Sequence, residues 1–127
     1  HMIRVPDAGR FELRLMDGSS NPYLLQAGVI AAGLHGLNNK VDPGEPLSCN
    51  MYTDYKNYPN LKKLPDEIED ALDFLENSKQ LKEAFGEDVI NSYIKLKNME
   101  IDDFFKYESF DKKTPVTDWE KNSTLDC

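Results

Sequence analysis

The 127-residue sequence has few basic residues relative to acidic ones. It holds 15 Lys and Arg against 23 Asp and Glu, which gives a formal net charge of -8 at pH 7. Nucleic acids and acidic membrane surfaces are bound through basic patches, and the pairs Lys62–Lys63 and Lys112–Lys113 are too short to form one. The charge balance therefore argues against nucleic acid and membrane as partners.

Cysteine and histidine are also scarce, with two residues of each. Cys49 and Cys127 could form one disulfide, but so few thiols favour a reduced, cytoplasmic setting. No Cys/His spacing is typical of a zinc site, and His35 has no second imidazole near it in the sequence. We therefore expect His35 to lie on a helix surface without a ligand. We expect residues 1–2 to be a cloning remnant.

No hydrophobic run is long enough to span a membrane. The most apolar stretch, residues 23–37, is shorter than the roughly 20 residues that a span requires, and Gln26, His35 and several glycines interrupt it. Asn21 and Pro22 are typical of the cap and the first position of a helix. Because apolar residues then occupy nearly every side, the pattern predicts a buried helix over residues 21–38.

Residues 10–15 alternate charged and apolar side chains, which predicts a strand with one charged face. That face carries Arg10, Glu12 and Arg14, spaced about 7 Å apart along the strand. Glu12 could bind a hard divalent cation, and the two arginines could hold phosphate or carboxylate oxygens. This combination suits phosphoryl transfer. Spacing alone favours the alternative, an exposed sheet face with ordinary ion pairs, because charged strand faces are common.

The whole pattern predicts an α+β, mostly helical chain with one or two short N-terminal strands followed by about four helices. Residues 3–20 would hold the strand and its turn, and residues 39–64 would form an irregular connection rich in proline. Apolar residues at helical spacing predict helices over residues 65–110. Residues 111–127 would form a tail anchored by Trp119.

Two local signals divide the helical region. Ser78 is typical of a helix cap, and Gly86 is typical of a helix end. We therefore expect a short helix between them, with a helix before it and a longer one after it.

Several ordered motifs resemble the C-terminal part of the glutamine synthetase catalytic domain. They are the Arg-x-Glu-x-Arg string of residues 10–14, the Asn-Pro-Tyr of residues 21–23 with the Ala/Gly-rich helix after it, Asn39-Lys40, the Asp-Pro-Gly-Glu of residues 42–45, and the Ile-Arg-Val-Pro of residues 3–6. The match is close over residues 3 to about 46 and follows the general layout beyond.

The resemblance implies a role for four side chains. Glu12 would bind the active-site divalent cation on the nucleotide side, Mg²⁺ or Mn²⁺, and Arg14 would hold the side-chain carboxylate of glutamate. Arg4 would contact the nucleotide phosphates, and Arg10 would lie near the transferred phosphate. The implied reaction is the ATP-dependent formation of L-glutamine from L-glutamate and ammonia through glutamyl phosphate.

The resemblance also implies that residues 3–127 are a portion of a longer catalytic domain. Its partners would be the rest of that chain and neighbouring subunits of a ring-shaped homo-oligomer. The resemblance implies an active site with two divalent cations, and such a site needs more ligands than Glu12. We therefore expect the isolated chain to be inactive. Tyr52 lies in an Asn-x-Tyr that resembles a segment whose tyrosine is adenylylated in some bacterial relatives, although the residues after it depart from that segment.

The sequence is also compatible with two other functions. The chain could be a self-standing helical interaction module, in which the charged strand face forms surface ion pairs and the apolar helix forms a dimer face. It could also be a non-catalytic relative with a regulatory role.

Overall fold

A computed structural model describes residues 2–107 and 116–124. The chain begins with an antiparallel hairpin of β1 (Ile3–Asp7) and β2 (Arg10–Leu13), in which Arg4 pairs with Glu12. The two-residue connection contains Gly9, whose φ of 78° suits a residue without a side chain. A bulge between Arg4 and Asp7 accommodates Pro6, which has no amide hydrogen to give to the ladder.

Helix α1 (Pro22–Asn38) begins where the sequence predicts. The Asn21 side-chain oxygen accepts hydrogen bonds from the amides of Tyr23 (3.0 Å) and Leu24 (3.1 Å), so it satisfies two of the free donors at the helix start. His35 lies on α1 as expected, half-buried, with its Nδ1 3.2 Å from Nδ2 of Asn39.

The prediction that α1 is buried is wrong within this chain. None of its residues is buried, and the side chain of Tyr23 is 83% exposed. The physical reason is a shortage of neighbours: α1 packs against one short helix and faces the apolar side of the hairpin across an open groove of about 840 Å³. Its apolar outer surface is left uncovered by the described residues.

The connection over residues 39–64 is irregular except at one point. Asn50 caps the short helix α2 (Met51–Asp54), and a 3-10 turn follows at Tyr55–Asn57. The cap is reciprocal, because the amide of Asn50 donates to the carboxylate of Asp54 at 3.2 Å. This helix was not predicted, since four residues are too few to show a helical period.

Three helices pack together over residues 68–107: α3 (Ile68–Glu76), α4 (Lys79–Phe85) and α5 (Glu87–Tyr107). Helix α5 packs against both α3 and α4, and α4 also packs against α1. Leu72 and Ile90 are the buried apolar side chains of the described residues. The Ser78 hydroxyl caps α4, and Gly86 ends it with a φ of 87°, so both predicted boundaries are confirmed.

The last helix, α6 (Asp118–Thr124), docks on α5 through Trp119. The indole Nε1 donates to Oδ2 of Asp103 at 3.0 Å, and its ring meets that of Phe104 edge to face with the centroids 5.4 Å apart. Trp119 is therefore an anchor, as predicted. With α2 and α6, the described residues hold six α-helices where about four were expected. Within the same residues, no helix is both long and apolar enough to cross a membrane.

Candidate functional site

The candidate site is a cluster in which three arginines hold the carboxylate of Glu12. Oε1 accepts from Nη2 of Arg10 at 2.7 Å and from Nη1 of Arg4 at 3.2 Å. Oε2 accepts from the same Arg4 atom at 3.1 Å and from Nη2 of Arg14 at 3.2 Å. These are the only three arginines of the sequence. We call this group the arginine–Glu12 cluster.

The hairpin explains why the four side chains meet. Arg4 on β1 lies directly opposite Glu12 on β2, and cross-strand pairs place side chains on the same face. Arg10 and Arg14 lie two residues before and after Glu12, so the pleat directs them to that face as well. The amide of Arg14 donates to the carbonyl of Met2 at 2.9 Å, which extends the pairing just past the end of β2.

The cluster lies at the surface and carries excess positive charge. The side chain of Glu12 is 26% exposed, whereas that of Arg10 is 63% exposed. Three guanidinium groups around one carboxylate leave a formal charge of two positive units, because arginine stays protonated in proteins. The hydrogen bonds from Arg4 and then Arg14 hold the pKa of Glu12 below its ordinary value of 4.5, against a smaller opposing effect of burial.

The arginine–Glu12 cluster offers too few ligand oxygens to bind a divalent cation by itself. Mg²⁺ and related ions take about six oxygen ligands, and Glu12 offers one carboxylate whose two oxygens already accept hydrogen bonds. Among the described residues, no group of three or more His, Cys, Asp or Glu side chains could hold a metal ion. The local electrostatics favour an anion instead.

Sequence reasoning reached Arg10, Glu12 and Arg14 from spacing, but it placed Arg4 only through resemblance. The hairpin brings Arg4 into contact with Glu12, so all four predicted residues lie together. The two-residue connection at Ala8-Gly9 predicts a hairpin, but a regular ladder continued from the pair Asp7–Arg10 would set Val5 opposite Glu12. The bulge shifts the register by one residue and brings Arg4 there instead, so no short motif in the sequence identifies this contact.

Comparison with known protein families identifies the family of this chain. The family model described as "Glutamine synthetase, catalytic domain" matches residues 1–122. The chain belongs to the glutamine synthetase family.

Individual relatives agree with this family. The chain is 44% identical to a glutamine synthetase of Rhizobium meliloti over 99% of its own length, and 40% identical to a glutamate–methylamine ligase of Methyloversatilis universalis over 98%. A solved structure described as "GmaS/ADP complex-Conformation 1" is 39% identical, with a TM-score of 0.76 over the whole chain. In each case this chain spans 27% of the relative's length.

Two tyrosines outside the arginine–Glu12 cluster, Tyr52 and Tyr58, lie in the connection over residues 39–64. Tyr52 lies on α2 and is 88% exposed, so it is accessible to a modifying enzyme. Tyr58 directly follows the 3-10 turn. A hydrogen bond with Cys49 raises the pKa of Tyr58 above its ordinary value of 10.0.

Proposed function

We propose that the chain is the C-terminal portion of an ATP-dependent, cytoplasmic ligase that forms L-glutamine from L-glutamate and ammonia. The observation that carries the proposal is the convergence of Arg4, Arg10 and Arg14 on one point of a hairpin whose sequence matches this family. The reaction would pass through glutamyl phosphate.

The charges of the reaction explain the need for such a cluster. The attacking carboxylate of glutamate and the phosphates of ATP are both anions, and they repel each other on approach. Guanidinium groups held in place beforehand neutralise this repulsion without reorganising during the reaction. Arg14 would hold the glutamate carboxylate, Arg4 the nucleotide phosphates, and Arg10 the phosphate in transfer.

The divalent cations of the reaction, Mg²⁺ or Mn²⁺, would neutralise phosphate charge. Glu12 would supply one ligand, and groups outside the described residues would have to supply the others. We infer that the catalytic site is complete only in a longer chain assembled with neighbouring subunits in a ring. The 127-residue chain alone would then be inactive.

A second candidate is a ligase that uses another amine. The relative at 40% identity is a glutamate–methylamine ligase, and a relative of Streptomyces coelicolor at 38% identity is a gamma-glutamylethanolamide synthetase. Such an enzyme would differ in the amine that attacks the activated glutamate, so none of the arginine roles would change.

The experiment is an assay of the longer protein that contains this chain, purified from its source. Phosphate release and product mass are measured with ATP, Mg²⁺ and L-glutamate, with ammonia, methylamine or ethanolamine as the third substrate. We expect the strongest phosphate release with ammonia and a product with the mass of glutamine. A preference for methylamine or ethanolamine would replace the first candidate with the second. No glutamate-dependent release with any of the three would overturn both.

A further inference from the structure

The carboxylate of Glu12 lies where the three guanidinium groups of the cluster converge. Its two oxygens accept from Arg4, Arg10 and Arg14 at 2.7–3.2 Å, and every one of these contacts is of the kind that a phosphate or substrate carboxylate oxygen would make. The point that an anionic ligand would take is therefore filled by the protein's own anion.

We propose that Glu12 is an internal competitor for the anion site, so that the arginine–Glu12 cluster binds phosphate more weakly while the Glu12 carboxylate holds the three arginines. This inference deepens the proposed function, because the anion would be a phosphate group of the nucleotide or the carboxylate of the substrate. It concerns regulation of access to the arginines rather than the reaction that follows.

Two observations support competition rather than a simple structural ion pair. The first is stoichiometry: all three arginines contact one carboxylate, whereas fastening the two strands would need only the cross-strand pair of Arg4 and Glu12. The second is exposure. The arginine side chains are 44–63% exposed, so an incoming anion could reach them if Glu12 moved.

The charge balance sets the direction of the effect. With Glu12 ionised, the cluster has a formal charge of two positive units, and without that charge it has three. Replacing Glu12 by glutamine should therefore strengthen phosphate binding. A site in which Glu12 recruits the anion would show the opposite, because removal of Glu12 would weaken binding.

The test measures binding of inorganic phosphate to the longer protein by calorimetry, with EDTA present so that no divalent cation contributes. The variants are Glu12→Gln and Glu12→Asp, and Glu100→Gln is the matched control. Glu100 has an ion pair with Lys97 at 2.6 Å, so the control removes the same charge from an ion pair elsewhere. The double variant Glu12→Gln/Arg4→Gln shows whether any gain arises at the cluster.

We expect Glu12→Gln to bind phosphate about fivefold more tightly than the unmodified protein, at the low end of the usual coupling between two ligands. We expect Glu12→Asp to give about a twofold gain, since its shorter side chain keeps the charge but cannot reach all three arginines equally. Glu100→Gln should show no change, and the double variant should lose the gain.

Equal or weaker binding by folded Glu12→Gln would overturn the proposal, as would a gain that persists in the double variant. If Glu12→Gln does not fold, as judged by circular dichroism, Glu12→Asp decides in the same way. These results are independent of the ligase assay, because no turnover is measured. A phosphate gain without ligase activity would leave the competitor role standing and remove the proposed function.

Discussion

Arg4 and Glu12 face each other across the hairpin, with Nη1 of Arg4 3.1 and 3.2 Å from the two carboxylate oxygens. The pair joins two strands that are separated in sequence by a turn of two residues. Because backbone pairing fixes this register, any change in the turn or the bulge would also move the charged side chains. The geometry of the candidate site thus depends on the local fold of residues 3–14.

Arg14→Lys in the longer protein should raise the KM for glutamate about tenfold or more and leave the KM for ATP nearly unchanged. Lysine keeps the charge but loses the planar fork that grips a carboxylate through two hydrogen bonds, and bonds to charged groups contribute roughly 1.5–3 kcal/mol. Steady-state kinetics with each substrate varied in turn checks this. Lys95→Gln on α5 is the control. Equal effects on both KM values would contradict the assignment of Arg14 to glutamate.

The hairpin should lose stability in acid because the folded pKa of Glu12 lies below its ordinary value of 4.5. A lowered carboxylate pKa gives a contribution that is fully present above the unfolded pKa and is lost as the pH falls through the folded one. We expect hydrogen–deuterium exchange of the 3–14 segment to accelerate below pH 4.5 relative to Glu12→Gln at the same pH. Parallel exchange in both proteins across this range would show that ionised Glu12 does not stabilise the hairpin.

Asp103→Ala should loosen the docking of Trp119 on α5, because it removes the hydrogen bond and leaves the ring contact with Phe104. Trp119 is the sole tryptophan of the sequence and its Nε1 donates to Asp103, so its fluorescence reports how α6 is docked within this chain. We expect a shift of the emission maximum to longer wavelength and a loss of about 1 kcal/mol in the free energy of unfolding. Asp102→Ala, which removes the neighbouring charge, should change neither. An unchanged emission in Asp103→Ala would mean that the contact does not hold α6.

The 127-residue chain alone should release no phosphate from ATP with glutamate and ammonia, and it should bind a hydrophobic dye strongly. The first expectation follows because the described residues cannot hold a divalent cation by themselves. The second follows from the open groove of about 840 Å³ between the hairpin and α1 and from exposed side chains such as Leu37, 76% accessible. Substrate-dependent turnover by this chain would contradict the first, and dye binding no stronger than that of the longer protein would contradict the second.

Features governed by neighbouring residues were predicted correctly from the sequence. Asn21 at the start of α1 and Ser78 and Gly86 around α4 act through hydrogen bonds or backbone angles within a few residues, so their roles are visible in short motifs. The alternation of residues 10–15 likewise identified the charged face of the strand, because the pleat is a local property.

Features that depend on distant contacts were not predicted. The burial of α1 was inferred from its composition, but burial requires neighbours that the described residues do not provide. The position of Arg4 beside Glu12 depends on a register that includes a bulge, which no alternating pattern reveals. Helix α2 is the one local feature that was missed, because its reciprocal cap between Asn50 and Asp54 lies in a segment too short to show a helical period.

The most direct test of the account is Glu12→Ala in the longer protein, with ligase activity and oligomeric state measured on the same sample. If Glu12 is a ligand of the catalytic divalent cation, glutamine formation should fall at least about 100-fold, the scale expected when a preorganised electrostatic group is lost, while the assembly stays intact. Two results would contradict the ligase assignment of this cluster and favour an interaction module. One is unchanged activity, and the other is a loss of assembly in which the oligomer that remains keeps its activity.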